Sequence, residues 1–298
     1  MTKKLVVVLL ILIFSNGLAK AGQEIAAVQS IRIPPYEEAL KGFKSVCNSK
    51  IRRLVLSDME RGGVIKKIDE IRPDMVLAIG MDALSRVKRI KHIPIVYLMA
   101  LNPQSLPAGN ENITGVSMNI CQERQLRTFS KCLPHMKHIG LLYDPERTGH
   151  LVKKARDAAG RIGITLIAKK VYESRDVPQL IEEMKGKIDA FWMLPDITVI
   201  TPETLEFLFL FSLENKIPVL TFSDKYLGRG ALISIGIDAF DIGIQAGEMT
   251  NKLLSGKDAA DVHRIDARKA IIHINRKIAR KLKIHIDKRV IREAIITD

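Results

Sequence analysis

The residues of this sequence that could do chemistry sit where short apolar runs stop. Asp196 follows Ala190 to Leu194, Asp224 follows Pro218 to Phe222, and Asp238 follows Ala231 to Ile237. Gly80, Met81 and Asp82 follow a run from Met75, Leu101 and Asn102 follow Ile95 to Ala100, and Ser117 lies at the end of Ile113 to Met118. A small zwitterion would use both kinds of group. Its carboxylate is held by hydroxyls and by backbone N–H groups at helix starts, and its ammonium by one or two carboxylates. Ser117 and the amides of Gly80 to Asp82 suit the first task; Asp196, Asp224 and Asp238 suit the second. Tyr36, just after Pro34 and Pro35, offers a ring for stacking on a ligand. Each Asp could equally cap a helix or turn, the commoner use of Asp at such places.

Catalytic motifs are missing from the sequence: it has no Gly-x-Ser-x-Gly elbow, phosphate loop or His-Glu-x-x-His pair. His135, His138 and His150 fall on loop and helix-end segments and read as surface histidines rather than a zinc set. No enzyme activity, cofactor or metal is expected.

The elements that must position these groups alternate along the chain. Strands are expected at Ile25 to Gln29, Arg53 to Ser57, Met75 to Gly80, Ile95 to Ala100 and Ile113 to Met118, with helices near Tyr36 to Val46, Gly63 to Ile71 and Ala83 to Ile90. A second set has strands at Ile139 to Asp144, Thr165 to Val171, Ala190 to Leu194, Pro218 to Phe222 and Ala231 to Ile237. Its helices lie near Gln122 to Leu133, Gly149 to Ile162, Val177 to Lys185 and Pro202 to Asn215, the last with Thr201 as N-cap and Pro202 in the first turn. Both sets carry an Ile-Pro before a strand (Ile93-Pro94, Ile217-Pro218) and a Gly-hydrophobe-polar exit (Gly115-Val116-Ser117, Gly236-Ile237-Asp238). This points to two related α/β lobes. In open α/β sheets ligands sit at the carboxyl ends of strands, where the residues above are placed. Chain continuity assigns 22–118 plus 238–262 to lobe 1 and 119–237 plus 263–298 to lobe 2. A strand at Ala231 to Ile237 runs through Asp238 into a helix that ends before Gly256.

Composition fits a folded chain of two domains: 298 residues, 47% apolar and 27% charged. Lys3 and Lys4, the apolar run Leu5 to Phe14 and Ala19-Lys20-Ala21 read as a signal peptide over 1–21, too short in its apolar part to span a bilayer. No cysteine lies near the cleavage site, so the expected product is periplasmic and not lipid-anchored. Cys47, Cys121 and Cys132 permit at most one internal disulfide, and each reads as a small buried hydrophobe. The net charge is +14, and eleven Lys or Arg fall between His263 and Asp298. In an exported protein such a basic segment meets lipid headgroups or an acidic partner rather than nucleic acid.

Several motifs in order carry a family likeness: Ile113-Thr-Gly-Val-Ser117, Gln125-Leu126, Leu133-Pro134, Ile139-Gly-Leu-Leu-Tyr-Asp-Pro145, Asn215-Lys-Ile-Pro-Val219, Arg229-Gly-Ala231, and Gly236-Ile-Asp238 with Gly243-x-Gln245-Ala-Gly247. The chain resembles, from about Tyr36 to Ile284, the ABC-transporter substrate-binding proteins that include tryptophan- and tyrosine-binding lipoproteins. The resemblance implies a type I periplasmic binding protein fold: two Rossmann-like lobes with parallel sheets, a three-strand hinge, and a small ligand enclosed between the lobes. It departs from the family at Met81-Asp82 and Leu101-Asn102-Pro103, so ligand identity transfers less well than fold. The expected function is that of an extracytoplasmic solute-binding protein of an importer, a monomer that presents a small polar ligand, an amino acid or similar, to an inner-membrane ABC permease. Two other readings stay open: a ligand-sensing or docking receptor for a membrane signalling partner, and an envelope enzyme.

Overall fold

A computed structural model describes residues 23–60, 62–101, 103 and 111–298. The expected signal peptide and Asn102 lie outside the described residues. The first stretch runs β1 (Glu24–Gln29), α1 (Pro34–Val46), β2 (Lys50–Val55), α2 (Gly63–Ile71), β3 (Met75–Ile79), α3 (Met81–Val87), β4 (Ile95–Ala100) and β5 (Ile113–Ser117). The second runs α4 (Gln122–Cys132), β6 (His138–Tyr143), α5 (Gly149–Ile162), β7 (Thr165–Lys170), α6 (Val177–Glu182), β8 (Ala190–Trp192), α7 (Pro202–Asn215), β9 (Val219–Thr221) and β10 (Ile233–Ile237). Then follow α8 (Ala239–Leu254), β11 (Ile265–Asp266), β12 (Ala270–Asn275), α9 (Arg276–Leu282), α10 (Lys288–Glu293) and β13 (Ile295–Thr297).

The chain divides into two compact units. Unit 1 comprises the described residues up to Asn119 with Ala239–Asp266, and unit 2 comprises Ile120–Asp238 with Ala267–Asp298. The stretch 263–266, grouped by sequence with lobe 2, pairs Ile265–Asp266 with Val116–Ser117 in the first sheet.

Unit 1 holds a six-stranded sheet in the order β11-β5-β4-β3-β1-β2, all parallel. Unit 2 holds seven strands in the order β13-β12-β10-β9-β8-β6-β7, where β12 runs antiparallel to β10 and the other pairs are parallel. The winding β2-β1-β3-β4-β5 thus recurs as β7-β6-β8-β9-β10. In each repeat the strand order reverses direction beside the first strand, between β1 and β3 and between β6 and β8. A crevice opens at such a switch point.

Local chemistry explains most boundaries. β3, β4 and β5 are buried at every residue and carry the continuous apolar character of central parallel strands. β2 begins three residues earlier than expected, because an edge strand tolerates charge: Arg52 pairs with Glu24 and Arg53 with Glu37, which hid the strand among its cations. α7 opens on a capping box, in which the Thr201 hydroxyl accepts from the Thr204 amide at 3.3 Å and the Thr204 hydroxyl accepts from the Thr201 amide at 2.9 Å. α8 stops before Gly256, which takes φ 98°.

Within unit 1 α8 lies backbone to backbone on α1. A Cβ on Gly243 would stand 1.9 Å from the Ala39 carbonyl oxygen, and one on Gly42 1.9 Å from that of Phe240. Only glycine fits this contact, which fixes the start of α8 and the residues beside it.

Two cores form, one around Val76, Leu84, Ile95 and Tyr97 in unit 1, the other around Phe191, Leu208, Phe211 and Leu227 in unit 2. Trp192 is fully buried, edge-on to Phe129 with centroids 5.9 Å apart. All three cysteines are free; Cys47 and Cys132 are buried, whereas Cys121 is exposed because it precedes α4. No helix among the described residues is long and apolar enough to cross a membrane.

Candidate functional site

In unit 1 the switch point between β1 and β3 gathers several polar groups. Ser30, directly after β1, donates its hydroxyl to the Ile79 carbonyl at 3.1 Å and accepts from the Ala83 amide at 3.0 Å, so it ties β3 to the first turn of α3. Gly80 takes φ 92°, and a Cβ there would fall 2.5 Å from the Tyr36 hydroxyl and 2.6 Å from that of Ser30. Tyr36, Ser30 and Gly80 therefore meet. The Tyr36 phenol is pushed above its ordinary pKa by burial and then by the negative charge of Asp82. A cleft of about 400 Å³ opens here, lined by the polar side chains of Ser30, Ser57, Glu60, Asp82, Ser85 and Arg86. Asp82 is exposed in the first turn of α3, while Met81 is half-buried and packs against the unit 1 core. Helix geometry turns Met81 to the sheet and leaves Asp82 in the cleft.

The other strand ends of unit 1 differ. Ser117 is 3% exposed; its hydroxyl donates to Asp266 at 2.6 Å and accepts from the Asn119 amide at 3.1 Å. The Ser117 hydroxyl thus uses its donor to hold β5 to β11 and one of its two acceptor sites to hold the following turn. At the end of β4 the register with β5 shifts and Met99 adopts φ 54°, a left-handed conformation that costs about 1–2 kcal/mol for a side-chain-bearing residue. Leu101 beyond it is 53% exposed, as are Ile31 after β1 (45%) and Phe240 at the start of α8 (40%).

In unit 2 the switch point between β6 and β8 is built around Asp196. One of its oxygens accepts from the Asp144 amide at 2.8 Å and from the Thr148 hydroxyl; the other accepts from the Thr198 amide at 3.0 Å. At 1% exposure this carboxylate is buried among these donors and braces the turn that they form. What it positions is Asp144. That carboxylate receives the Thr198 hydroxyl at 2.7 Å and lies 3.3 Å from the Arg147 guanidinium. The Thr198 hydrogen bond, followed by the Glu146 amide and Arg147, holds the Asp144 carboxyl below its usual range against the opposing effect of desolvation. Asp224 is exposed at the start of the turn after β9, and Asp238 is half-buried between β10 and α8.

The structure thus brings Tyr36 and Asp82 together with Ser30, which sequence reasoning missed, and it adds Asp144, Thr198 and Asp266. Asp144 was visible as the end of a strand, but nothing in spacing distinguishes it from Asp196. Among the described residues no group of three His, Cys, Asp or Glu could hold a metal ion.

Comparison with known proteins places this geometry. The family model for ABC transporter substrate binding proteins matches residues 56–297. A tyrosine-binding protein of Clostridioides difficile is 25% identical over 264 residues, covering 82% of this chain and 76% of that protein. Among solved structures, the ligand-free, open form of a substrate binding protein with adhesive properties from Clostridium difficile aligns with a TM-score of 0.75 at 22% identity, over 93% of this chain and 99% of that one. A Streptococcus pneumoniae ABC domain in complex with L-Trp aligns at 0.58 and 22%, over 93% and 100%. At these identities the structures speak for the fold, that of type I periplasmic binding proteins, and the family is one of binding rather than catalysis. With the family model spanning most of its length, this chain belongs to the ABC transporter substrate-binding proteins.

Proposed function

We propose that this protein captures an amino acid or a close analogue in the periplasm and delivers it to an inner-membrane ABC permease. The observation that carries this reading is the unit 1 cleft, which pairs both halves of a zwitterion. Arg86 with Ser57 and Ser85 complements a carboxylate, while Asp82 and Glu60 complement an ammonium. Tyr36, which meets Ser30 at this switch point, and the exposed Ile31 after β1 and Leu101 after β4 offer apolar surface for the ligand's side chain. The similarity to a tyrosine-binding protein supports an aromatic or large apolar side chain. Asp224, Asp238 and Asp144, with Asp196 bracing Asp144, are the contributions proposed from unit 2. Asn102 is retained as a candidate by its place after β4. Export by residues 1–21 without a lipid anchor, a monomeric state, no binding of nucleic acid, and a discontinuous division into two ligand-enclosing lobes complete the reading.

The test is uptake. Cells lacking the gene should lose accumulation of one radiolabelled amino acid and regain it with the wild-type chain but not with Asp82→Asn combined with Arg86→Gln. Unchanged uptake of every amino acid in the deletion strain would sink the importer role.

A further inference from the structure

Unit 2 concentrates its surplus of positive charge on one run of helices. α4 packs against α5, and Arg161 of α5 reaches Glu123 of α4 at 2.6 Å. Lys131 of α4 in turn reaches Glu293 of α10 at 2.5 Å. So α5, α4 and α10 follow one another across one surface, and α9 joins α10 through the short link 283–287. From α4, α5 and residues 276–298 come fifteen Lys or Arg against Glu123, Asp157, Asp287, Glu293 and Asp298, which lies by Arg276 and Arg280. The surplus of ten makes up most of the +14 of the whole chain. The protein's basicity is therefore a property of this surface.

Of these acids all but Asp157 are already engaged. Glu123 is shared by Arg127 and Arg161, Glu293 is taken by Lys131, and Asp287 by Arg289. Lys277, Lys281, Lys283, Lys288 and Arg292 are exposed and have no acidic partner among the described residues. Their helices bury Ile278, Leu282 and Val290 beneath them, so the charges are fixed outward by packing. Ile295 on the adjoining β13 is 51% exposed, an apolar contact beside the cations.

This arrangement selects its partner. A binding pocket for one anion would draw a few forks of Arg to a point, whereas these charges are spread over four helices and many are Lys, the compact point charge suited to a diffuse negative surface. We propose that this basic helical face docks the protein on anionic phospholipid, holding it at the membrane without a covalent lipid. It depends on the extracytoplasmic setting of the family and not on the ligand proposed above, so either can fail alone.

The test uses Gly22 to Asp298, which contains every described residue, sedimented with vesicles of phosphatidylcholine or of phosphatidylcholine mixed with phosphatidylglycerol. Binding is expected to the mixed vesicles only, and to vanish at about 0.5 M salt, where screening acts within several ångströms. Each basic residue near an anionic surface contributes about fivefold to partitioning. The triple variant Lys277→Gln, Lys281→Gln, Lys288→Gln should therefore bind about a hundredfold more weakly, with its thermal midpoint unchanged. Lys66→Gln with Lys88→Gln, two cations of unit 1, should bind as the wild type does. Equal binding to both vesicle types, equal binding by the triple variant, or binding to DNA or an acidic polypeptide with none to vesicles would each overturn the proposal.

Discussion

Replacing Asp196 with alanine separates a positioning role from a ligand contact. In the folded protein its two oxygens receive the amides of Asp144 and Thr198 and the Thr148 hydroxyl, within a site 1% exposed. Alanine leaves three donors without their acceptor. Each buried unsatisfied group costs about 1–3 kcal/mol, and the Thr148 hydroxyl can rotate to another acceptor, so the expected loss is about 3–5 kcal/mol. For a chain of this length about 2–4 °C of thermal midpoint goes with each kcal/mol, which gives a fall of about 6–20 °C by calorimetry. Asp196→Asn keeps one carbonyl and turns its amide nitrogen towards the remaining donors, so it should fall between alanine and wild type. Ligand affinity should drop far less in the asparagine variant than in Asp82→Asn. The reasoning is refuted if Asp196→Ala melts with the wild type while ligand binding disappears.

Two further perturbations address backbone packing and a buried phenol. Gly243→Ala forces a Cβ to 1.9 Å from the Ala39 carbonyl oxygen and should destabilise by about 1–3 kcal/mol or more, whereas Gly160→Ala, with nothing within 4 Å on exposed α5, should stabilise by about 0.5–1 kcal/mol; urea unfolding of the two variants must give opposite signs. Tyr97, 1% exposed, has its phenol pushed up to about 12 by burial. Because the folded value lies above the unfolded one, this stabilisation is complete below about pH 10 and is lost as pH rises from about 10 to 12, by about 2–3 kcal/mol. Tyr97→Phe should flatten that part of the stability profile, and a profile identical to wild type would contradict it.

How much could be read beforehand depended on whether the signal was local. α2, α5 and α7 were bounded correctly at 63–71, 149–162 and 202–215, since Gly163 and the Thr201-Pro202 start are chemistry carried within the chain's own turns. The doubled winding was legible because the central strands are continuous apolar runs. β2 was misplaced because an edge strand is allowed its Arg residues by partners, Glu24 and Glu37, that lie elsewhere in the sequence. The site was legible only to the level of strand ends. Which way a residue points there depends on a single dihedral and on neighbours from other strands. So Ser117 and Asp196 hydrogen-bond to Asp266 and within the Asp144–Thr198 turn, partners that no spacing announces, while Ser30, unremarkable in sequence, lies where Tyr36 and Asp82 meet.

Isothermal titration of the refolded Gly22–Asp298 chain with the twenty amino acids tests the binding claim most directly. Saturable one-to-one binding of an aromatic or large apolar amino acid is predicted, abolished by Asp82→Asn with Arg86→Gln and retained by Lys277→Gln. A well-folded protein that gives no heat with any amino acid, or binds one unchanged after both cleft substitutions, would contradict it.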